Sequence, residues 1–152
     1  MKRPKIYKRE LIEKKEEPYL EKKEPIYTSN DFNKQIFTNP NKYKIWNLPT
    51  QKQWEKVPPL YSQDGKGDKA KVYMKLYTPS MTYYVTEFDR KSGDMFGYVR
   101  NESDLEMSEW GYTNFNELKG AVASSKGLVY LDRDRNFKPQ TVKQLKEKGV
   151  FN

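Results

Sequence analysis

The chain has 152 residues, with 29 Lys and Arg against 21 Asp and Glu for a formal net charge of +8, and it contains neither His nor Cys. Their absence excludes Ser-His-Asp and Cys-His nucleophile systems, zinc sites built on those ligands, and disulfide scaffolds. Hydrophobic residues make up only 35% of the chain, which is low for a globular domain, so part of the sequence is not expected to pack.

Residues 1–53 are predicted to form an extended arm that is disordered or bound to a partner. Residues 1–56 hold 14 Lys and Arg against 8 Asp and Glu, a net +6, whereas residues 57–152 hold 15 against 13, a net +2. The same amino-terminal third contains 5 of the 9 prolines and few large aliphatic residues. This composition is typical of segments that cannot bury enough apolar surface to fold alone.

Within the arm, a proline followed by apolar or tyrosine residues recurs near positions 4, 18 and 25. One interpretation is a solvated Lys/Glu-rich linker with a short, transient helix over 8–17. The other is an arm whose spaced side chains lie along the groove of a protein partner and fold on binding. The second interpretation predicts these anchors: Ile6, Tyr7, Tyr19, Leu20, Ile26, Tyr27, Phe32, Phe37 and Trp46.

The basic start of the arm is the better candidate for contacts to nucleic acid. The rest of the chain is nearly neutral and has no basic stripe in its predicted strands beyond Lys69, Lys71 and Lys75. If nucleic acid is a partner, the residues expected to contact phosphate are Lys2, Arg3, Lys5, Lys8 and Arg9.

From residue 54 onward the pattern predicts an α+β domain extending to residue 152. Two prolines give an extended entry at 57–61, and a glycine-punctuated polar loop follows at 62–68. Alternation at Val72, Met74 and Leu76 predicts a strand, and a turn around Pro79 leads into a second strand. The second strand covers 83–88, a hairpin turn covers 90–94, and a third strand covers 95–99. These three segments predict an antiparallel meander.

The carboxyl-terminal part is predicted to add two strands and two helices. A strand is expected at 109–113, then a helix capped by Thr113 or Asn114 that runs through Val122. A later strand is expected at 127–131, followed by an exposed segment at 132–135. Thr141 is expected to cap a terminal helix over 142–148 that Gly149 ends. The predicted fold is therefore a small antiparallel sheet with one or two packed helices, preceded by a largely irregular arm.

Acidic residues offer the main route to catalysis in a chain without His and Cys. Glu87 and Glu109 lie near predicted strand ends, where two converging carboxylates would suit a hard divalent cation. The alternative is that they are ordinary solvated or Arg-paired acids. The glycine-rich loop at 64–68 lacks the spacing of a phosphate loop or an EF-hand and is interpreted as a surface turn. No cofactor is expected.

Six short motifs occur in order along the domain. They are PLYSQDGKGD at 59–68, YVTEFD at 84–89, FGYV at 96–99, EWGY at 109–112, FNELK at 115–119 and DRDRNFKP at 132–139. In these motifs the chain resembles a family of small bacterial domains of unknown function carried on plasmids, conjugative elements and phages, over about residues 54–145. The resemblance implies an accessory protein of a mobile element and carries over no catalytic residue. The long arm departs from the family pattern.

Together these features predict a non-catalytic interaction or structural protein of a phage or mobile element. Its domain would dock on a protein partner while the arm threads along an assembly. The alternatives are a nucleic-acid-associated protein that uses the basic arm and, third, a carboxylate-metal enzyme such as a nuclease. The sequence has no 18-residue apolar run and no apolar stretch behind its basic start. No membrane partner is therefore expected, and the predicted location is the bacterial cytoplasm or a phage virion.

Overall fold

The computed structural model describes residues 43–151, which form an α+β fold. The strands are β1 Lys71–Val72, β2 Met74–Tyr77, β3 Met81–Phe88, β4 Asp94–Asn101, β5 Glu109–Asn114, β6 Asp132–Arg133 and β7 Gln140–Thr141. The helices are α1 Gln51–Trp54, α2 Phe115–Ser124 and α3 Val142–Glu147, with one-turn 3₁₀ helices at Gly67–Lys69 and Leu105–Met107. The longest helix, α2, has 10 residues; within 43–151 no helix has the length and hydrophobicity to cross a membrane.

Five strands form one antiparallel sheet in the order β5-β4-β3-β2-β6. The predicted meander is confirmed, because β2, β3 and β4 follow one another in sequence and in space. The Thr78 N–H donates to the Met81 carbonyl at 2.8 Å to close the first turn. The second turn uses Gly93, whose φ of +86° is readily adopted only without a Cβ.

The centre of the sheet is closely packed around Gly97. A Cβ at this position would collide with the carbonyl oxygen of Tyr84 on β3. Close by, the β3–β4 register shifts between Val85 and Glu87, which marks a β-bulge. The bulge and the glycine together let β3 and β4 approach and bend at mid-sheet.

One face of the sheet is covered by α1 and α2. Trp54 of α1 stacks on Phe88 of β3 with ring centroids 3.8 Å apart, and Phe115 of α2 meets Trp54 edge-on at 4.9 Å. The predicted helix start is confirmed: Asn114 caps α2, its side chain accepting the Glu117 N–H. The buried residues of this first core are Ile45, Trp54, Val57, Met74, Leu76, Val85, Phe88, Met95, Phe115, Val122, Ala123 and Leu131.

The other face carries α3, the β1–β7 ribbon and the carboxyl-terminal tail. This second core is rich in aromatic rings, and Phe151 lies 4.5 Å from Tyr98 and 5.4 Å from Trp110 between ring centroids. Its buried residues are Ala70, Val72, Tyr84, Phe96, Tyr98, Trp110, Val142 and Leu145. The predicted ends of α3 are confirmed by a capping box at Thr141 and by a positive φ at Gly149.

The strand predicted at 127–131 is wrong. These residues form a turn and a connection in which Leu128 is 85% exposed. The last strand of the sheet is instead Asp132–Arg133, in the segment predicted to be exposed, where both residues are half-buried beside β2. The apolar run at 127–131 has the local composition of a strand. The free edge of β2 nevertheless forms its backbone hydrogen bonds with Asp132–Arg133.

The packed unit includes residues ahead of position 54, where the sequence placed the domain boundary. Ile45 is fully buried and forms a parallel bridge with Leu131. The Trp46 N–H donates to the Leu131 carbonyl at 2.8 Å, and the Leu131 N–H donates to the Lys44 carbonyl at 2.9 Å. Residues 43–53 therefore pack on the domain rather than extending from it.

Candidate functional site

Glu87 was predicted as a metal ligand, and the structure places it fully buried on β3. One carboxylate oxygen accepts the Tyr61 N–H at 2.9 Å and the other accepts the Gln63 N–H at 2.9 Å. Hydrogen bonds from N–H groups to a buried carboxylate are stronger than neutral ones. Glu87 therefore anchors the chain that crosses above it.

Gln63 completes this anchoring with its side-chain amide. Its amide nitrogen donates to the carbonyls of Lys71 at 2.9 Å and Thr86 at 2.8 Å, and its amide oxygen accepts the Lys71 N–H at 2.7 Å. We call residues 58–71, fixed in this way to β3, the pinned segment. Tyr61 has a φ of +73°, a conformation that costs energy in a residue with a Cβ and is maintained here by the surrounding contacts.

Glu109, the other predicted ligand, lies exposed at the start of β5. Glu87 pairs with Phe96 of β4, whereas Glu109 pairs with Val99 of the same strand. The two glutamates are therefore separated by about 10 Å along the strands and about 10 Å across them. Within residues 43–151, no group of three His, Cys, Asp or Glu side chains is arranged to hold a metal ion. The structure thus corrects the predicted metal pair.

Among the predicted partner anchors, only Trp46 lies within the described residues. Its ring is half-buried and stacks on Tyr130 with centroids 5.6 Å apart. Trp46 thus contributes to packing within the domain. The helix predicted over 8–17, the other eight anchors and the five basic residues near the start lie outside the described residues.

Charged side chains at the β2–β6 edge are paired within the chain. The Lys75 ammonium lies 3.7 Å from the Asp134 carboxylate. The Tyr77 hydroxyl donates to Asp132 at 3.1 Å, and burial together with this hydrogen bond raises the pKa of Tyr77. Asn47 also donates to Asp132, at 2.9 Å. These contacts hold β6 against β2 and the amino-terminal segment.

Lys119 is a buried polar residue that sequence reasoning missed. It lies on the inner face of α2, one turn after Phe115, and its ammonium is 4.8 Å from the centroid of that ring. Burial lowers the pKa of the Lys119 ammonium to about 7. Its spacing of four residues from Phe115 and three from Val122 placed it on the apolar stripe of the helix, a signal that the sequence did contain.

The opposite pattern occurs at the Leu105–Met107 3₁₀ helix, which we call the apolar turn. Leu105 is 40% exposed and Met107 is 65% exposed. The turn is well ordered by local bonds: the Asp104 side chain accepts the Glu106 N–H, and the Ser108 hydroxyl accepts the Asn101 N–H at 2.8 Å. Two long apolar side chains are thus held out into solvent by a defined backbone.

The surroundings of the apolar turn are acidic. Residues 101–109 contain Glu102, Asp104, Glu106 and Glu109 and no Lys or Arg. Glu102 is bound on its inner side by the Thr82 hydroxyl at 2.7 Å and by Arg100 at 3.3 Å. The sequence showed this acidic run but gave no sign that its two apolar residues would point outward.

Comparisons with known proteins give this chain no relative: no family model, no curated protein and no solved structure matches it. The resemblance to domains of plasmids, conjugative elements and phages stays a prediction.

Proposed function

We propose that the chain is a non-catalytic interaction protein that docks on a protein partner through the apolar turn. The observation that carries this proposal is the ordered exposure of Leu105 and Met107. Exposed apolar patches rimmed by polar residues mark interaction surfaces, and methionine is enriched at interfaces. The setting in a phage or mobile element rests on the sequence resemblance, and the arm threading along an assembly rests on its spaced proline and aromatic residues.

The composition of the site indicates the chemistry of the partner. An apolar recess would receive the Leu105 and Met107 side chains, and basic residues around that recess would face the acidic rim. The rim charges are exposed, so they contribute more to the rate and salt dependence of association than to its final strength. Affinity should depend mainly on the two apolar side chains.

The test is quantitative co-purification of the tagged full chain from its host, followed by mass spectrometry. We expect a defined protein to be enriched with the wild type and at least tenfold depleted with Leu105→Ser/Met107→Ser. The matched control is Leu128→Ser, because Leu128 is 85% exposed but lies beyond α2, away from the apolar turn. This control should retain the partner.

Two results would contradict the proposal. One is recovery of the same proteins in the same amounts with the double variant as with the wild type. The other is equal loss with Leu128→Ser, which would indicate general hydrophobic adhesion and not a docking site.

A further inference from the structure

Six lysines lie on two segments that are far apart in the sequence but in contact in the folded domain. They are Lys66, Lys69, Lys71, Lys143, Lys146 and Lys148, all exposed except Lys146, which is half-buried. We call this group the lysine surface. It belongs to the folded domain and shares no residue with the basic segment at the start of the sequence.

Tertiary packing creates the lysine surface by bringing α3 against the end of the pinned segment. Lys71 of β1 pairs with Thr141 of β7, and the Val142 N–H donates to the Ala70 carbonyl at 2.8 Å. The Lys146 ammonium binds the Asp68 carboxylate at 2.8 Å, which ties the last turn of α3 to the Gly67–Lys69 3₁₀ helix. The two lysine-bearing segments are therefore directly in contact.

The lysine surface is positive after local pairing is taken into account. Acidic residues of the same two segments are Asp64, Asp68 and Glu147, against the six lysines. Asp68 is bound to Lys146, and the Lys148 ammonium donates to the neutral amide of Gln140 at 2.7 Å. Outside these two contacts remain four exposed lysines, Lys66, Lys69, Lys71 and Lys143, which can meet an external anion.

We propose that the lysine surface binds the phosphate backbone of duplex DNA. Regularly spaced phosphates are the natural partner of a cluster of flexible ammonium groups, and their neutralisation releases counterions. Segments 64–71 and 138–149 contain no aromatic residue that could stack on an unpaired base. The lysines therefore contact the DNA phosphate backbone independently of base sequence. We expect the surface to favour duplex DNA over single strands.

The lysine surface shares no residue with the apolar turn, although Arg100 contacts both the Val150 carbonyl after α3 and Glu102 beside the turn. It adjoins the end of β3 near Thr86, to which Gln63 is bonded, whereas the apolar turn adjoins the other end near Met81, opposite Asn101. Five residues of β3 separate these ends, or about 17 Å. A variant at one site is therefore expected to leave the other intact.

The experiment is fluorescence anisotropy of the full chain with a labelled 20-base-pair duplex at 50 and 200 mM salt. Three or four phosphate contacts predict a fall in affinity of about 40- to 150-fold between these concentrations. Lys69→Ala/Lys71→Ala/Lys143→Ala should reduce the salt slope by about 2.7, at about 0.9 per lost contact. The control Lys52→Ala/Lys56→Ala/Lys91→Ala removes the same charge from exposed lysines outside the surface and should leave the slope near that of the wild type.

The outcomes separate the lysine surface from other sources of binding. An unchanged slope in the first triple variant, or an equal reduction in the control, would overturn the proposal and assign binding to the arm or to overall charge. Tighter binding to a single strand would overturn the duplex preference. Binding to phosphatidylserine vesicles but not to DNA would assign the surface to membranes instead. Leu105→Ser/Met107→Ser should bind DNA as the wild type does, whichever way the docking proposal is decided.

Discussion

The pinned segment and the apolar turn place polar and apolar side chains in opposite environments. At the pinned segment, two polar side chains, Gln63 of the segment and Glu87 of β3, are buried under the backbone that they hold. In the apolar turn, polar groups order the backbone while Leu105 and Met107 point outward. A buried carboxylate whose oxygens both accept hydrogen bonds stabilises the fold. An ordered apolar side chain exposed to solvent can instead bury its surface against a partner. The difference separates residues that serve folding from those that serve binding.

Removing the Glu87 carboxylate is the strongest test of this distinction between folding residues and binding residues. Glu87→Ala should lower the free energy of unfolding by about 4 kcal/mol, because the buried Gln63 N–H and the part-buried Tyr61 N–H lose their acceptor. Urea denaturation of the full chain measures the effect. The matched control is Glu109→Ala, an exposed glutamate on a strand of the same sheet, for which we expect a change within about 0.5 kcal/mol. A mild effect at Glu87 would mean that the pinned segment is not held as described.

A second buried polar group gives the first core a pH dependence. The folded-state pKa of Lys119, about 7, lies below the ordinary value of 10.5. Between these values the unfolded chain binds more protons, so the free energy of unfolding should rise with pH. The expected rise is on the order of 3 kcal/mol from pH 7 to 9.5. Lys119→Met should remove that rise, and parallel curves for the two proteins would contradict this account.

The Gln63 amide is expected to contribute less than Glu87. Gln63→Ala removes three hydrogen bonds, two of them to the backbone of Lys71. Because Lys71 is exposed, water can replace part of that loss, and we expect a cost of about 2 kcal/mol. Amide hydrogen exchange should be faster in residues 61–71 of this variant while β4 stays protected. Uniform acceleration across the sheet would show that the segment does not open separately.

The smallest effect on stability is expected at the apolar turn. Leu105→Ser/Met107→Ser should change the free energy of unfolding by less than about 0.5 kcal/mol, because neither side chain belongs to a core. The thermal midpoint of the isolated full chain measures this. A large loss would show that the turn stabilises the fold, and it would remove the basis for assigning its apolar residues to binding.

Local signals were sufficient to predict much of the fold. The α+β class, the meander, the cap at Asn114 and the helix stop at Gly149 all follow from residues within a few positions of each element. The last strand of the sheet could not be predicted in this way. Asp132–Arg133 is a strand because β2 lies beside it, and its sequence is polar and short. Strand pairing over a long sequence separation leaves little trace in local composition.

The candidate sites were harder to predict for the same reason. Glu87 drew attention as an acid near a strand end, but its engagement by Tyr61 and Gln63 depends on a segment more than twenty residues earlier. Asp68 and Lys146 are 78 positions apart, and only the packing of α3 brings their lysine-bearing segments into contact. Charge counted along the chain therefore missed the basic region of the domain.

The bridge between Ile45 and Leu131 has a consequence for the order of folding. It joins residues 86 positions apart, and the β1–β7 ribbon joins residues about 70 apart, whereas β2, β3 and β4 are connected by short turns. Closing a loop between segments far apart in the sequence is slower and costs more conformational entropy. We expect the meander to acquire its protection first in pulse-labelled hydrogen exchange, with residues 43–54 and 140–151 joining last. These two segments would then close over opposite faces of a sheet already formed, which leaves those faces as the last surfaces withdrawn from solvent.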